Sequence, residues 1–456
     1  MRNQLNMRSI RYRKYGRKRE TYLIVIGIVC IILLAVLGYK FVFTPHKEAK
    51  EAMKLEIETK KQERLALLEQ AEKLRLSYDY DNAIALLETI EGYSEDEEVQ
   101  TKITEYQAEK DTCVAVNPEE VTHIFYHSLV VDPVRAFANQ DNDSQCVGNN
   151  QWMTTISEFN KITQEMYDRG YVMISIHDLE AGNVMLPPDK KAFVLSLDDL
   201  SYYHAYDGYG YATKLLLDEN GKVMNEYTDA DGNTTIGAYD VVPLMDQFVE
   251  EHPDASYRGA KGIIALTGYN GVLGYRTDVT YDYNNDHCDI HQRAWMDAHP
   301  DFSLEKEREQ AKLVADAMKA NGWEFASHTW GHVRVGERSL EALRIDHEKW
   351  KANVVPIVGE TDTIIFAHGQ DLQGPGAYSE SNAKYQYFRE QGFDIFCNVD
   401  SNTYTTYMGD GYMRQGRRNL DGYRIYKNAT GQQNNVADLF DAKEIIDPQR
   451  PPVPEL

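Results

Sequence analysis

Two pairs of residues, each following a strand-like run, have side chains suited to hydrolytic chemistry. Asp198 and Asp199 follow the apolar run at 192–197, and His328 and His332 follow a second, shorter run. Carboxylates inside a buried strand would be costly, so we expect the acidic pair at the carboxyl end of its strand, where α/β folds build their sites. Two imidazoles and a carboxylate with open coordination positions can form a hydrolytic metal site. The two pairs therefore predict a metal centre on one rim of a sheet.

Strand and helix signals alternate from about residue 112 to residue 447. Short apolar runs recur between amphipathic segments, and several of these segments end at glycine, as at Gly170. This alternation predicts a parallel sheet covered by helices, either a barrel or a doubly wound sheet. Two long polar and aromatic insertions, 202–239 and 268–300, interrupt it, and the first contains two turn sequences typical of hairpins. Their tyrosine and asparagine content suits contacts with sugars, and packing between chains is the alternative.

The order of the two motifs resembles that of the polysaccharide deacetylase family of carbohydrate esterases. The sequence H-T-W-G-H, from His328 to His332, fits the family's H-[ST]-x-x-H motif. The sequence S-L-D-D, ending at Asp199, fits its T-F-D-D motif at the two acids, and Y-H-S around His127 is similar to the family's first strand. The resemblance covers about 120–445 and implies an incomplete (β/α) barrel.

The resemblance also implies roles for individual residues. Asp199, His328 and His332 would hold a divalent metal ion, which we expect to be Zn²⁺. Asp198 would be the general base that takes a proton from metal-activated water, and this water would attack the carbonyl carbon of an acetamide. Coordination would keep Asp199 ionised and leave Asp198 free for this role. The expected reaction is hydrolysis of a linear amide, a carbon–nitrogen bond outside peptides.

Two motifs of the family are missing from this sequence. Its arginine motif, which steadies the base, has no counterpart on the strand that ends at 367–369, and no histidine follows His368 to supply the usual acid. We expect His368 to be the catalytic acid or to bind substrate, with a structural role as the alternative. Arg417 or its neighbour is a candidate for the missing arginine, against a solvated turn. His127, Trp330 and Arg417 are predicted to contact the substrate, and a hydrogen-bonded core position is the alternative for His127.

The N-terminal 43 residues predict a membrane anchor. Residues 22–43 form an apolar run whose only charge is Lys40, about the length that spans a bilayer as a helix. The segment 1–21 carries eight Arg or Lys against one Glu, which indicates a cytoplasmic N-terminus. A cleaved signal peptide is the alternative, but the run is long for one and no small-x-small cleavage pattern follows. We therefore expect a single-pass protein of the cell membrane whose catalytic domain is extracytoplasmic.

Two segments flank the catalytic domain. The one on its N-terminal side is predicted to be helical, and the one on its C-terminal side is predicted to be extended. Residues 44–111 have helical spacing, and part of this stalk resembles a single tetratricopeptide helix pair. One such unit cannot bury its own apolar face, so the stalk is a candidate for self-association, although heptads do not persist. The deacetylase-like domain is expected at 112–447, and 448–456 is a Pro-rich tail.

Charge and cysteine content exclude some functions. The net charge is −24, and because the first 21 residues carry +7, the rest of the chain carries −31. So acidic a domain would repel nucleic acid, which we exclude as a partner. The five cysteines have no C-x-x-C spacing, which argues against a zinc ribbon and leaves disulfides and free thiols both open.

These observations predict a metal-dependent hydrolase that removes N-acetyl, rather than O-acetyl, groups from a cell-surface or cell-wall polysaccharide such as peptidoglycan. The missing motifs favour one alternative, a catalytically inactive barrel that serves as a membrane-anchored glycan-binding protein. A zinc peptidase is disfavoured because H-T-W-G-H lacks the glutamate of H-E-x-x-H. A stalked adhesion or scaffold protein would be preferred if the metal site did not exist.

Overall fold

The computed structural model describes residues 24–399 and 405–456, so the basic segment 1–21 lies outside the described residues. Contacts divide the chain into two compact units. One comprises the described part of Met1–Glu72 together with Leu86–Asp96, and the other comprises Lys73–Ala85 and Glu97–Leu456. All residues predicted for the site belong to the second unit.

The described N-terminal part is helical. Helix α1 covers residues 24–38, a π-helical turn follows at Tyr39–Phe43, and α2 spans Thr44–Leu76. The stretch Ile24–Phe41 has a mean hydropathy of 2.6 and none of it is buried. Among the described residues, this is the one helix with the length and composition of a membrane span. A signal sequence close to an N-terminus has the same properties, so the helix is either an anchor or such a sequence.

From residue 112 onward, strands and helices alternate as the sequence predicts. The strands are β1 Val114–Ala115, β2 Thr122–Tyr126, β3 Tyr171–Met173, β4 Met185–Leu186, β5 Lys191–Asp198, β6 Ala212–Leu217, β7 Val223–Thr228, β8 Thr234–Gly237, β9 Ile263–Leu266, β10 Glu324–Ser327, β11 Thr363–Ile365, β12 Ile395–Val399, β13 Thr406–Met408 and β14 Met413–Asn419. The helices after α2 are α3 Tyr80–Leu87, α4 Glu97–Thr112, α5 Pro133–Ala136, α6 Ser144–Trp152, α7 Ile156–Asp168, α8 Ile176–Ala181, α9 Val241–Glu251, α10 Ile290–Ala298, α11 Leu304–Ala320, α12 Leu340–Asn353, α13 Val355–Val358, α14 Ala383–Glu390, α15 Gly422–Ala429 and α16 Ala442–Ile445.

Seven parallel strands form a closed ring. Their order is β2, β5, β9, β10, β11, β12 and β14, and β14 pairs with β2 to complete the circle. A parallel barrel is therefore present as predicted, with one strand fewer than the common eight-stranded (β/α) barrel. Its ring is closed, so the expected incomplete barrel is not confirmed. Because all seven strands run the same way, their carboxyl ends share one rim, which is where the predicted site residues lie.

Strand β5 shows how the ring acquires two different faces. Every residue of β5 after Lys191 is buried. Successive side chains point to opposite faces, so Leu195 and Leu197 join the hydrophobic core between barrel and helices. Ser196 contacts Arg417 of β14, which is not a neighbour of β5 in the ring. Their contact therefore crosses the barrel interior, and the polar face of β5 points inward.

The two insertions are built differently. In the first, β6, β7 and β8 form an antiparallel sheet whose turns lie at 218–221 and 229–232, where the sequence predicts hairpins. The second is mostly irregular, apart from α10, which the sequence analysis did not predict. Both insertions lie between β5 and β10 in the chain and therefore connect to the carboxyl rim of the ring.

The Pro-rich tail is packed against the domain. Helix α7 begins with a capping box formed by Thr155 and Glu158, and Glu158 is fully buried. Arg450 of the tail donates from Nη2 to Glu158 Oε2 at 2.6 Å and from Nε to Oε1 at 2.7 Å. This buried pair joins the end of the chain to the start of a barrel helix.

Candidate active site

The predicted metal ligands lie where their strands end and the backbone turns sharply. Asp198 is the last residue of β5, and Asp199 follows it with a φ of 60°. Beyond β10, Thr329 and His332 also have positive φ values, of 64° and 51°. Such conformations cost non-glycine residues about 1 kcal/mol or more and are concentrated at functional sites. The two histidines therefore converge through a turn and not along a helix.

Asp199, His328 and His332 form a cluster that can hold a metal ion. One potential ligand atom from each residue lies within 4.8 Å of the others. His328 donates from Nδ1 to the carbonyl oxygen of Ile365 at 2.6 Å, which leaves Nε2 free to coordinate. Tyr203 donates its hydroxyl to Asp199 Oδ1 at 2.6 Å. Histidine ligands commonly donate their second nitrogen in this way, so the donor set fits a divalent metal.

Asp198 lies beside this cluster and pairs with a buried arginine. Arg417 donates from Nη1 to Asp198 Oδ1 at 2.7 Å and from Nη2 to Oδ2 at 2.9 Å. Its guanidinium also lies 4.1 Å from the ring of Phe125. Burial raises the pKa of Asp198, but Arg417 and the nearby His328 outweigh it and hold this pKa below its ordinary value. Arg417 is fully buried, so the solvated turn considered from sequence is wrong.

Buried hydrogen bonds connect Arg417 to Ser196, His123 and Gln415 inside the barrel. Arg417 Nη1 donates to Ser196 Oγ at 3.1 Å, and Ser196 Oγ lies 2.8 Å from His123 Nε2. His123 Nδ1 lies 3.0 Å from Gln415 Oε1, an acceptor, so Nδ1 carries the proton and Nε2 accepts from the serine. Burial, followed by the charge of Arg417, lowers the pKa of His123 to about 3, so it is neutral.

The sequence analysis missed His123, Ser196 and Gln415, although a signal for them exists. Ser196 precedes Asp198 by two positions, and Gln415 precedes Arg417 by two. Side chains two apart on a strand share a face, so each polar pair lies on the inward side of its strand. Polar residues at alternate positions of a buried strand therefore indicate a hydrogen-bonded barrel interior.

The cluster and Asp198 share a cavity of about 410 Å³, a volume typical of a small-molecule site. Its lining consists of Phe125, His127, Trp152, Met153, Asp198, Asp199, Tyr206, His328, His332, Arg334, His368, Gly369, Val399, Asn419 and Asp421. His127 and His368 thus provide two imidazoles beyond those of the ligand pair, as the sequence predicted.

The two additional histidines have different surroundings. His368 Nε2 donates to the carbonyl oxygen of His332 at 3.2 Å, and the two rings are 4.2 Å apart. His127 lies close to two carboxyls. Burial raises the pKa of Asp421; its hydrogen bonds, then the charge of Arg424 and last His127 counteract this effect. His127 also contributes to lowering the pKa of Asp198, after the larger effects already described.

Trp330 shapes the turn between the histidines and is not among the residues that line the cavity. Its indole donates to Asp278 Oδ2 at 2.8 Å, and Lys349 lies 4.2 Å from the ring. Asp346 of α12 accepts hydrogen bonds from the backbone N–H groups of Trp330 and Gly331 at 2.7 and 2.9 Å. Asp346 therefore fixes the turn and was missed from sequence. Arg417 is also absent from the lining because Asp198 and Phe125 cover it.

The fold and the cavity define a closed parallel (β/α) barrel with a two-histidine, one-carboxylate cluster at its carboxyl rim. No protein-family model matches the sequence, and no curated protein matches it. Among solved structures, the chain is similar to the Streptococcus pyogenes deacetylase PplD in complex with acetate, at 13% identity and a TM-score of 0.36. That similarity covers 67% of this chain and 94% of the streptococcal one.

Proposed function

We propose that this protein is a metal-dependent deacetylase that hydrolyses N-acetyl groups of a cell-surface or cell-wall polysaccharide. One observation carries the proposal: a carboxylate held by a buried arginine lies beside a two-histidine, one-carboxylate cluster in one cavity. His328 Nε2 is 3.9 Å from Asp198 Oδ2, so the candidate base lies next to the ligand set. The resemblance of the two sequence motifs to polysaccharide deacetylases supports the same reaction.

Asp199, His328 and His332 would hold the ion, which we expect to be Zn²⁺. When bound, such an ion lowers the pKa of a water ligand and polarises a carbonyl oxygen. Asp198 accepts a proton from the attacking water, and Arg417 keeps this carboxylate ionised and fixes its orientation. The C–N bond then breaks, an acid donates a proton to the departing amine nitrogen, and acetate and the free amine are the products.

Two histidines are candidates for the acid that protonates the departing amine. The sequence analysis favoured His368, whose Nε2 donates to the His332 carbonyl. His127 lines the same cavity and interacts electrostatically with both Asp198 and Asp421. The Nε2 proton of His368 is engaged with the His332 carbonyl oxygen, whereas an acid catalyst needs a proton that it can release to the departing nitrogen. We therefore assign the acid to His127 and a substrate-facing structural role to His368.

The apolar helix and the charge distribution support a place at the membrane. We propose that residues 22–43 anchor the chain, with the N-terminus in the cytoplasm and the barrel outside, beside a surface polysaccharide. The acidic composition after residue 21 is poorly suited to binding nucleic acid. Self-association through the stalk remains a prediction, and the oligomeric state of the detergent-solubilised chain tests it.

The function is tested with the full-length chain purified in detergent. Metal per chain is measured by mass spectrometry, and acetate release is measured on N-acetylglucosamine oligosaccharides and peptidoglycan fragments. We expect about one ion per chain, its loss in His328→Ala, and a fall in kcat of about a hundredfold to ten-thousandfold in Asp198→Asn. Asp438→Asn is the matched control, because Asp438 pairs with Arg418 outside the cavity.

The outcomes separate the candidate functions. Metal without acetate from any glycan would reject the deacetylase and favour the glycan-binding barrel. Release of acetate only from O-acetylated glycans would mean that the protein hydrolyses an ester bond and not an amide bond. If the purified chain contains no metal, the proposed metal site is rejected. For the acid, His127→Ala is expected to lower kcat more than His368→Ala, and the reverse order would return this role to His368.

A further inference from the structure

Three cavities lie in succession, starting from the one that contains the metal-ligand cluster. Tyr206 lines both this first cavity and a second cavity of about 300 Å³. Asp207 and Thr213 line both the second cavity and a third cavity of about 540 Å³. Neighbouring cavities are therefore adjacent and separated by side chains that they share. Each has the volume of a small-molecule site, so together they exceed the needs of one amino sugar.

The third cavity combines a fixed aromatic ring with hydrogen-bonding groups. Trp295 lines it and is only partly buried. His299 stacks on its indole at 4.1 Å, and Phe302 lies at 5.3 Å at a steep angle, so the ring is held in place. Lys214 and Glu226 form an ion pair of 3.2 Å in the same lining. A pyranose ring presents C–H groups on its faces and hydroxyls at its edge, which match an aromatic surface bordered by donors and acceptors.

The outer cavities are built by the insertions rather than by the barrel strands. Most of their lining comes from the segment after β5, from β6, β7 and the turn after it, and from the stretch between β9 and α11; Arg135 of α5 and Glu307 of α11 complete it. Arg276 joins the two insertions, because its guanidinium donates to the carbonyl oxygens of Tyr202 at 3.0 Å and Asn270 at 3.1 Å. Tyr202 lies next to Tyr203, which holds Asp199. The wall of the outer cavities is thus connected directly to the metal-ligand cluster.

We propose that the three cavities form one groove for a chain-like glycan, with the acetylated sugar in the first cavity and a flanking sugar against Trp295. This inference rests on the proposed function and adds a binding site to it: the place on this chain where sugars flanking the acetylated one would bind. Sugars along the chain would contact Tyr206 and Asp207 on the way to the third cavity. Binding energy from the flanking sugar would then contribute to orienting the acetamide at the cluster.

The test compares a hexasaccharide and a disaccharide of N-acetylglucosamine as substrates of the full-length chain. We expect a higher kcat/KM for the hexasaccharide. Trp295→Ala is expected to lower the hexasaccharide-to-disaccharide ratio by about three- to tenfold, as expected for the loss of one aromatic contact. Ala298→Tyr is a second variant, which fills the third cavity from an exposed position without removing a packed side chain. Tyr283→Ala is the control, an exposed aromatic in the same insertion that lines none of the three cavities.

A binding measurement separates failure of the groove from failure of the chemistry. The hexasaccharide is titrated by calorimetry into Asp198→Asn, alone and combined with Ala298→Tyr. Binding that weakens in the combined variant supports the groove even if no acetate is released. Equal kcat/KM values for both substrates, unchanged in Trp295→Ala and Ala298→Tyr, would overturn the groove while leaving the deacetylase intact. Hexasaccharide binding that Ala298→Tyr does not affect would likewise reject the third cavity as a sugar site.

Discussion

Arg417 and Asp198 are 219 residues apart in the sequence and meet inside the barrel through two parallel hydrogen bonds. Both are buried, and the guanidinium also lies over the ring of Phe125. A bidentate pair of this kind fixes both the charge of a carboxylate and the direction of its oxygens. The last strand of the ring thus places an arginine against the carboxylate that we propose as the base.

Replacing this arginine by lysine tests whether orientation as well as charge matters. Lysine is a point charge that cannot reproduce the paired hydrogen bonds. We expect Arg417→Lys to lower kcat by about a hundredfold while metal content is retained, which steady-state kinetics and metal analysis will show. Arg418→Lys is the control, because Arg418 pairs with Asp438 outside the cavity. Equal losses in both variants would mean that the effect is structural.

Ser196 and His123 are positioning residues, because Ser196 bonds to Arg417 and His123 bonds to Ser196. Ser196→Ala removes the oxygen that accepts from Arg417 and donates to His123. We expect kcat to fall about tenfold, with KM and metal content unchanged, because the base loses orientation and not its charge. His123→Phe should act in the same direction. His252→Phe, at a partly buried histidine whose ring packs at a tilt against Tyr167, should leave kcat unchanged. A rise in KM instead would reveal a substrate contact.

The Tyr203 hydroxyl should strengthen metal binding. It donates to Asp199 Oδ1, leaving Oδ2 directed at His332 Nε2 at 3.5 Å. Loss of such a supporting contact typically weakens metal binding about ten- to a hundredfold, so we expect Tyr203→Phe to release its ion at lower chelator concentration. Tyr209→Phe removes a comparable hydroxyl contact, to Asp143, and is the control. Identical chelator curves for both variants and the parent chain would contradict the role of Tyr203.

Stability should fall at alkaline pH because of His177. Hydrogen bonds to Asp362 and Glu324, at 2.8 and 2.6 Å, raise the pKa of His177 from 6.5 to about 10 in the folded chain. A raised histidine pKa gives stability that is fully present below the unfolded value and is lost as pH rises toward 10. Urea unfolding followed by tryptophan fluorescence should show this decline. His177→Gln should flatten it, and an unchanged slope in that variant would assign the decline to other groups.

The tail should contribute to the stability of the barrel. Arg450 and Glu158 are both buried, and removal of one partner leaves an unpaired charge inside the protein. We expect Arg450→Met to lower the free energy of unfolding by about 3 to 5 kcal/mol. Combining it with Glu158→Gln removes the orphaned charge and should restore part of the loss. If the double variant is less stable than the single one, the pair does not act through charge compensation.

The sequence predicted the barrel and the ligand cluster because their signals are local. Asp199 follows an apolar strand, and His328 and His332 are four residues apart, so motif and strand end coincide. The partner of Asp198 has no local signal, since its identity depends on which strand faces β5 across the ring. The sequence R-R at Arg417 is equally typical of a solvated turn, and only ring closure decides which way its side chain points.

Trp330 does not line the cavity, and its contact with substrate stays a prediction. Its place between two ligand histidines made it a substrate contact in the sequence analysis, yet its indole donates to Asp278 and the ring lies under Lys349. The direction of a side chain in a turn depends on backbone dihedrals such as the positive φ of Thr329, which the sequence does not reveal. The succession of cavities along the insertions likewise depends on tertiary packing and not on composition.

The position of β14 as the last strand of the ring has a consequence for biosynthesis. Asp199, His328 and His332 are translated well before Met413, where the closing strand begins. A nascent chain can therefore present its ligand atoms before Arg417 emerges, but the base has no fixed partner until β14 pairs with both β12 and β2. Pairing between strands so far apart in sequence is slow, because the long intervening chain must first be brought together. The contact between Asp198 and Arg417 is therefore complete only when the ring has closed, so the finished site depends on synthesis of the whole barrel.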